Sequence, residues 1–268
     1  MRQIFHATDL QTVFDERGYI KMDLLNTFEV AQLLECYDGL KPKVENGFHA
    51  TMYIMDPEHR RAVKECIETV VKSLVAPHLC DYRLCAANFV VKEGVGHGSE
   101  VGFHQDWSFV DERQYRSVHV WCPLVDTNRE NGCLGVFPGT QRYGNLARAH
   151  FDPCPFGQVL PALQEHSFDE EPTRAGHALF YDGALLHGSR ENHSGNRRVG
   201  IVCVLVPAEA TLTHCFRISS EAVETFAVDV EFFLHHVPGT RPTGYPRIGT
   251  TTSRLHDVTS EEIAPLLQ

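Results

Sequence analysis

The amino-acid pattern changes period at Tyr82, and that change limits the fold more than any other feature of the chain. Residues 84–91, 101–106, 117–125, 133–137, 177–181 and 199–206 are short β-type runs. Turn-forming Glu130-Asn131-Gly132 and Pro138-Gly139 punctuate them. Short strands at such close intervals bury their apolar faces only by pairing and stacking, which predicts a sandwich or jelly roll. A segment from 144 to 176, rich in Pro, Phe and Asp, interrupts the runs and has little periodicity. Loops of that length inside a compact domain are functional or mobile.

The first 80 residues read mainly as helix. Thr8-Asp9-Leu10-Gln11 has capping-box spacing, and the helix it opens ends at Gly18. A short strand follows at 18–22. Residues 27–37 carry Val30, Leu33 and Leu34 on one stripe. A longer helix starts at Pro57 and runs to about Ala76, with Val63, Ile67, Val70, Val71 and Leu74 aligned. The tail from Asp229 is irregular, with a candidate short helix at 260–267. The fold class expected is mainly β (α+β), with N-terminal helices packed on a β core. The whole chain, 1–268, is expected to be one domain: helical support at 1–80, core at 82–206, insertion at 144–176 and tail at 229–268.

Charge narrows the partners. With 24 Lys+Arg against 35 Asp+Glu, the net charge of -11 argues against a nucleic-acid surface. No run approaches the roughly 18 apolar residues of a membrane span, and the N-terminus lacks an apolar signal region. The nine cysteines form no CxxC motif, and Cys122 and Cys203 sit in apolar runs. Reduced thiols in a cytoplasmic protein are expected. The sequence leaves monomer and homodimer open.

Chemistry is concentrated in two separated patterns. The first is His104-Gln105-Asp106. Residues two apart on a strand face the same way, so His104 and Asp106 are expected to project together while Gln105 points away. The second is His187-Gly188-Ser189, followed eleven positions later by Arg198. Two imidazoles and one carboxylate bind Fe(II) on one face and leave positions open for O2 chemistry. Arg198 offers a planar fork to a carboxylate. It shares a strand face with Gly200 and Val202, whereas Arg197 is expected to face solvent; Ser189 can add a hydroxyl to the same carboxylate. Together these residues read as a 2-oxoglutarate-dependent oxygenase. His97, His119, His150, His166, His177, His193, His214, His235 and His236 are given no ligand role.

These residues resemble the phytanoyl-CoA dioxygenase family. The matching stretches are residues 103–106, Trp121, residues 131–140 and His187-Gly188-Ser189 with Asn192 and Arg198, in the family's order and spacing. One departure is Gln141, where the family usually has His. The resemblance implies a double-stranded β-helix (a cupin-like jelly roll) with Fe(II) held by His104, Asp106 and His187. It also implies a 2-oxoglutarate cosubstrate with its distal carboxylate at Arg198 and Ser189, and Trp121 beside it. Asn88 and Lys92, on the strand before the iron motif, are further cosubstrate candidates. The implied activity is O2-dependent oxidation of a small molecule, hydroxylation by default, with release of succinate and CO2. Desaturation, cyclisation, epimerisation and demethylation use the same triad. Asp106 fills the position that related halogenases leave open to chloride. A cupin-like metal isomerase and a silent binding module are the competing readings, and neither needs a carboxylate fork at Arg198. Substrate-pocket candidates are Tyr53, Met55, Phe103, Trp107, Phe109, Arg113 and Asp182. The 144–176 segment and the tail after Asp229 are expected to close over the site.

Overall fold

The computed structural model describes residues 2–40, 47–94, 98–143, 147–252 and 257–267; His97 and residues 144–146 lie outside them. The N-terminal part contains α1 (Thr8–Arg17), β1 (Tyr19–Asp23), α2 (Thr27–Leu40), β2 (Phe48–Ala50) and α3 (Pro57–Val75). The middle contains β3 (Tyr82–Lys92), β4 (Val101–His104), β5 (Val118–Pro123), β6 (Leu134–Val136), α4 (Leu160–His166), β7 (Asp169–Glu171) and β8 (His177–Asp182). Then come β9 (His187–Ser189), β10 (Arg198–Pro207), β11 (Thr213–Ser219), β12 (Ala222–Ala227), α5 (Val230–His235) and β13 (Arg247–Thr252).

Two antiparallel sheets form the barrel. The larger has the order β1-β8-β5-β10-β3-β2 and the smaller β4-β9-β6-β7. Successive strands β3 to β10 alternate between the sheets except that β6 and β7 are consecutive in the smaller one, the winding of a double-stranded β-helix. Strand parity sorts the side chains. On β5, Val118, Val120 and Cys122 pack outward with Leu33, Val63, Ile67 and Val71 of α2 and α3. Trp121 points the other way, into the barrel with Leu134, Val136, Leu179 and Tyr181. The helices thus cover one face of the larger sheet and leave the space between the sheets for the site.

Helix boundaries are set by local hydrogen bonds. Asn26 Oδ1 accepts from Phe28 N and Glu29 N, while Glu29 accepts from Asn26 N, a capping box at the start of α2. Asp56 caps α3 through Glu58 N. The box expected at Thr8 does not form: Ala7 is the cap, and Gln11 Oε1 accepts from Ile4 N and Phe5 N instead. Gln11 thereby ties the segment before α1 to the helix.

Four further expectations are corrected. Cys36 of α2 and Cys66 of α3 are disulfide-bonded rather than reduced, because the packed helices bring their Cα atoms to 6.7 Å. The 144–176 segment is not wholly irregular, since it contributes α4 and β7, and β7 pairs with β6 as part of the barrel. The tail contains α5 and β13, and β13 completes a third sheet, β11-β12-β13. At the end of the chain the helical conformation is limited to a 3-10 turn at Ala264–Leu266.

The pairing of β4 with β9 places Val101 opposite Ser189 and His104 opposite His187. Gly188 makes this approach possible, because a Cβ there would lie 2.8 Å from both Val101 O and Phe103 Cδ1. We therefore expect Gly188→Ala to force the strands apart and destabilise the protein by about 1–3 kcal/mol, the usual cost of overpacking. Chemical denaturation of the variant against the parent checks this; an unchanged midpoint contradicts it.

Candidate metal centre

His104 ends β4 and His187 begins β9, so antiparallel pairing brings their rings to a centroid distance of 4.4 Å. Each donates Nδ1–H to the carbonyl two residues back: Gly102 O at 2.8 Å and Leu185 O at 2.9 Å. That fixes the tautomer and leaves both Nε2 lone pairs facing the same space. Asp106 Oδ1 lies 3.6 Å from His104 Nε2, and Oδ2 lies 3.7 Å from His187 Nε2. One ligand atom from each of the three residues falls within 4.8 Å of the others.

Asp106 reaches this position differently from the sequence expectation. The strand ends at His104, and Asp106 sits in the following loop. Its N–H donates to Gly183 O at 2.9 Å, and its carbonyl accepts from Arg148 Nε at 2.6 Å. Gln105 does point away, donating to Tyr143 O and Ala184 O. The Asp106 carboxylate accepts from Tyr181 OH at 3.2 Å and lies 2.8 Å from His119 Nδ1. Gly183 permits the His119 approach, since a Cβ there would come within 2.9 Å of His119 Nε2. His119, Tyr181 and Arg148 were not singled out from sequence. Two of them lie on the inward face of the larger sheet, and a parity argument run from Trp121 and Leu179 would have found them.

Electrostatics favour a cation. Burial opposes ionisation of Asp106, but His119 and His187 outweigh it and hold the carboxyl well below its ordinary range. Burial also opposes a proton on His104, yet the bond to Asp106 raises it. Burial and the nearby His104 push His187 down to about 4, leaving a neutral ring. A buried carboxylate thus draws positive charge between two imidazoles, where a metal ion would supply it. The residues fit a divalent metal of mixed N/O preference.

A cavity extends from the triad to Arg198 and is lined also by Trp121, Leu134, Gly188, Ser189 and Val202. Arg198 is 3 % exposed. Its guanidinium carbon lies 5.4 Å from the Trp121 ring centre, and Nη1 donates to Gly132 O. Nε has no hydrogen-bond partner, and among the described residues no carboxylate pairs with it. Burial pulls the group down to about 10, so it stays charged at neutral pH. Arg197, one residue earlier, is turned outward and pairs with Glu93. Lys92 stands opposite Arg198 in the β3–β10 register, fully buried, donating to Ser189 O and Arg190 O. Asn88 does not border this cavity; it faces the other side of the triad.

The remaining candidates divide. Tyr53 and Trp107 line the triad cavity and a larger neighbouring one, walled by His104, Arg148, His150 and Phe151. Phe109 lines a third, inner cavity. The other four line none of the three. Met55 is 77 % exposed. Phe103 packs against Phe137 and Phe168. Arg113 is exposed and folds back on Asp111. Asp182 is buried with Arg116 and caps the turn before His187 through Ala184 N. They are structural or surface residues because an apolar or charged type near a motif does not fix its direction.

Comparison with known proteins gives the following. The sequence profile described as Phytanoyl-CoA dioxygenase (PhyH) matches residues 15–200. Phytanoyl-CoA dioxygenase domain-containing protein 1 of Mus musculus is 33% identical over 122 residues, 43% of this chain and 42% of that protein. A phytanoyl-CoA dioxygenase of Arabidopsis thaliana is 33% identical over 105 residues, 38% of this chain and 37% of that protein. The matched stretch spans about two-fifths of the length of these relatives. Among solved structures, the non-heme alpha ketoglutarate dependent epimerase SnoN from nogalamycin biosynthesis superposes with a TM-score of 0.57 at 18% identity, over 95% of this chain and 96% of that one. EctD from S. alaskensis with bound Fe gives 0.57 at 19% identity, over 80% and 84%. At these identities the likeness is one of fold. Among the described residues no helix is long and apolar enough to cross a membrane.

Burial and the adjacent Arg198 push the Lys92 ammonium down to about 7 from 10.5. Between those values the unfolded chain holds a proton that the folded chain has lost, so the group's contribution to stability rises with pH across that window. We expect the melting temperature of the parent, relative to Lys92→Met, to rise from pH 7 to pH 10. A flat difference contradicts it.

Proposed function

The chain belongs to the phytanoyl-CoA dioxygenase family, and from that premise we propose that it is an Fe(II)- and 2-oxoglutarate-dependent dioxygenase acting on a small molecule. The observation that carries the reading is the buried Arg198, without a carboxylate partner among the described residues and set across one cavity from the His104–Asp106–His187 cluster. A dicarboxylic cosubstrate answers both ends of that cavity. His104, Asp106 and His187 would hold the iron, and Arg198 with Ser189 would take the distal carboxylate. When bound, the iron supplies activation of O2 coupled to oxidative decarboxylation of 2-oxoglutarate to succinate and CO2.

The chain's own groups do the rest. Gly102 O and Leu185 O hold the Nδ1–H of each imidazole, so Nε2 is the atom that each ring turns to the metal. Tyr181 and His119 occupy lone pairs of Asp106 and restrain its rotation. Burial and the Asp106 charge hold the Tyr181 phenol protonated, so it remains a donor. Trp121 closes one wall beside Arg198 and keeps water from the ion pair, which strengthens it. Because Asp106 supplies the third ligand, halide transfer is disfavoured, and hydroxylation of a C–H bond is the reaction we assign.

Closure over the site is assigned to residues 147–158 and the tail around α5. Tyr53 OH meets His150 Nε2 at 3.2 Å, and His150 stacks edge-on against Trp107 at 4.6 Å. Phe151 projects beside it, 80 % exposed.

Three outcomes are expected. His104→Ala, Asp106→Ala and His187→Ala each abolish 2-oxoglutarate turnover while circular dichroism stays at the parent signal; near-normal activity in any one removes it from the ligand set. Arg198→Ala raises the 2-oxoglutarate KM by at least about 100-fold, as loss of a charge-assisted fork implies, while Arg197→Ala changes it less than about twofold. Equal effects contradict the assignment. Hydrogen exchange at 147–158 and 230–240 slows when cosubstrate and substrate are both present, and unchanged protection there contradicts closure.

A further inference from the structure

Behind Asp106, away from Arg198, lies a second and smaller chamber. Its walls come from Ala86 and Asn88 of β3, Val202 and Val204 of β10, and Phe232 and Phe233 of α5. It touches the triad directly, because Asp106 lines it as well as the Arg198 cavity. Trp107 borders this chamber, the Arg198 cavity and the outer mouth alike.

The chamber is apolar but carries buried polar atoms without partners. Asn88 is 3 % exposed, and its Oδ1 accepts no hydrogen bond from the described residues. His214 is 2 % exposed, and neither ring nitrogen is in hydrogen-bond geometry with a described group, although the Thr240 backbone lies close by. Leaving a buried polar group unpaired costs about 1–3 kcal/mol. A ligand hydroxyl or amine could satisfy these atoms, since an amide offers both donor and acceptor ends. Burial pushes His214 down to about 4, so its neutral ring also offers one donor and one acceptor.

Few charged groups face the chamber. Arg60 donates to Leu234 O and Ile54 O, and Lys64 pairs with Glu68 at 2.5 Å. Asp106 belongs to the triad. Arg60 has no carboxylate partner among the described residues, but its donors are turned to those two carbonyls, and the aromatic walls disfavour an ion. Phe109 lies 5.2 Å from Phe233 and 5.4 Å from Trp107, ring centre to ring centre. Such a surface packs flat rings or branched hydrocarbon.

We propose that this chamber is the substrate subsite, and that it takes an uncharged, largely hydrocarbon body, alicyclic or branched, bearing a hydroxyl or neutral amine that pairs with Asn88 and His214. Its role as a substrate subsite rests on the oxygenase reading above; its capacity to bind such molecules does not. Asn88 is then a specificity residue rather than a cosubstrate ligand. Trp107 is the partition between the bound body and the mouth.

The test is direct binding to the full chain without added metal. Cyclohexanol, borneol and 1-adamantanol are titrated, with their carboxylate counterparts, by calorimetry and by the fluorescence of Trp107 and Trp121, the two tryptophans of the chain. At least one alcohol binds more tightly than its carboxylate. Asn88→Leu weakens that alcohol by about tenfold, the loss of one buried hydrogen bond. Two separate chamber-filling variants, Ala86→Trp and Val204→Phe, remove binding while leaving 2-oxoglutarate binding to the Mn(II)-loaded protein intact. Tighter binding of the carboxylates, no binding by any alcohol, or full binding in both filled variants overturns the proposal. If the alcohols bind as stated but 2-oxoglutarate does not bind the Mn(II)-loaded parent, the chamber stands and the oxygenase reading falls.

Discussion

The antiparallel contact between two very short strands governs everything else in this molecule. β4 ends at His104 and β9 begins at His187, and their pairing sets two imidazoles side by side from distant parts of the chain. Neither strand is long enough to hold that register alone. It is held because β9 also pairs with β6, placing His187 opposite Val136, and because Gly188 lets the backbones close. Two backbone carbonyls then choose the tautomers. The ligand geometry is therefore a property of sheet pairing, with side-chain packing only refining it.

The carboxylate is held by other means. Asp106 lies outside any strand and is tied at N–H, carbonyl and side chain by Gly183, Arg148, Tyr181 and His119. Arg148 in turn makes a bidentate pair with the partly buried Glu112. This loop thus couples the triad to residues 147–158, the segment assigned to closure. A movement of that segment would be felt at the Asp106 backbone before it reached the histidines.

Much of this was legible from sequence for identifiable reasons. Period-two runs located β3, β5, β8 and β10, because each carries several alternating residues. The same parity put Arg198 inside and Arg197 outside. His104, Asp106 and His187 come together as expected, although Asp106 does so through loop anchoring and not through strand parity. Short elements were less visible: β7 is three residues of Asp and Glu whose stability comes from its partner β6. The third sheet lay beyond the runs that drew attention. Cavity walls were the least legible, because Met55, Phe103, Arg113 and Asp182 have the right chemistry but the wrong direction, whereas His214 had no motif to mark it. The Cys36–Cys66 bond joins two helices whose facing positions only the tertiary packing defines.

The central claim is that one cavity joins a three-residue iron site to a carboxylate fork. Anaerobic titration of 2-oxoglutarate into the Fe(II)-loaded protein tests it most directly, by the visible charge-transfer absorption of the chelated cosubstrate. The account predicts a saturable band at one equivalent in the parent chain, lost in His187→Ala and shifted to much higher 2-oxoglutarate in Arg198→Ala. No band in the parent, or the same band at the same concentration in both variants, would contradict it.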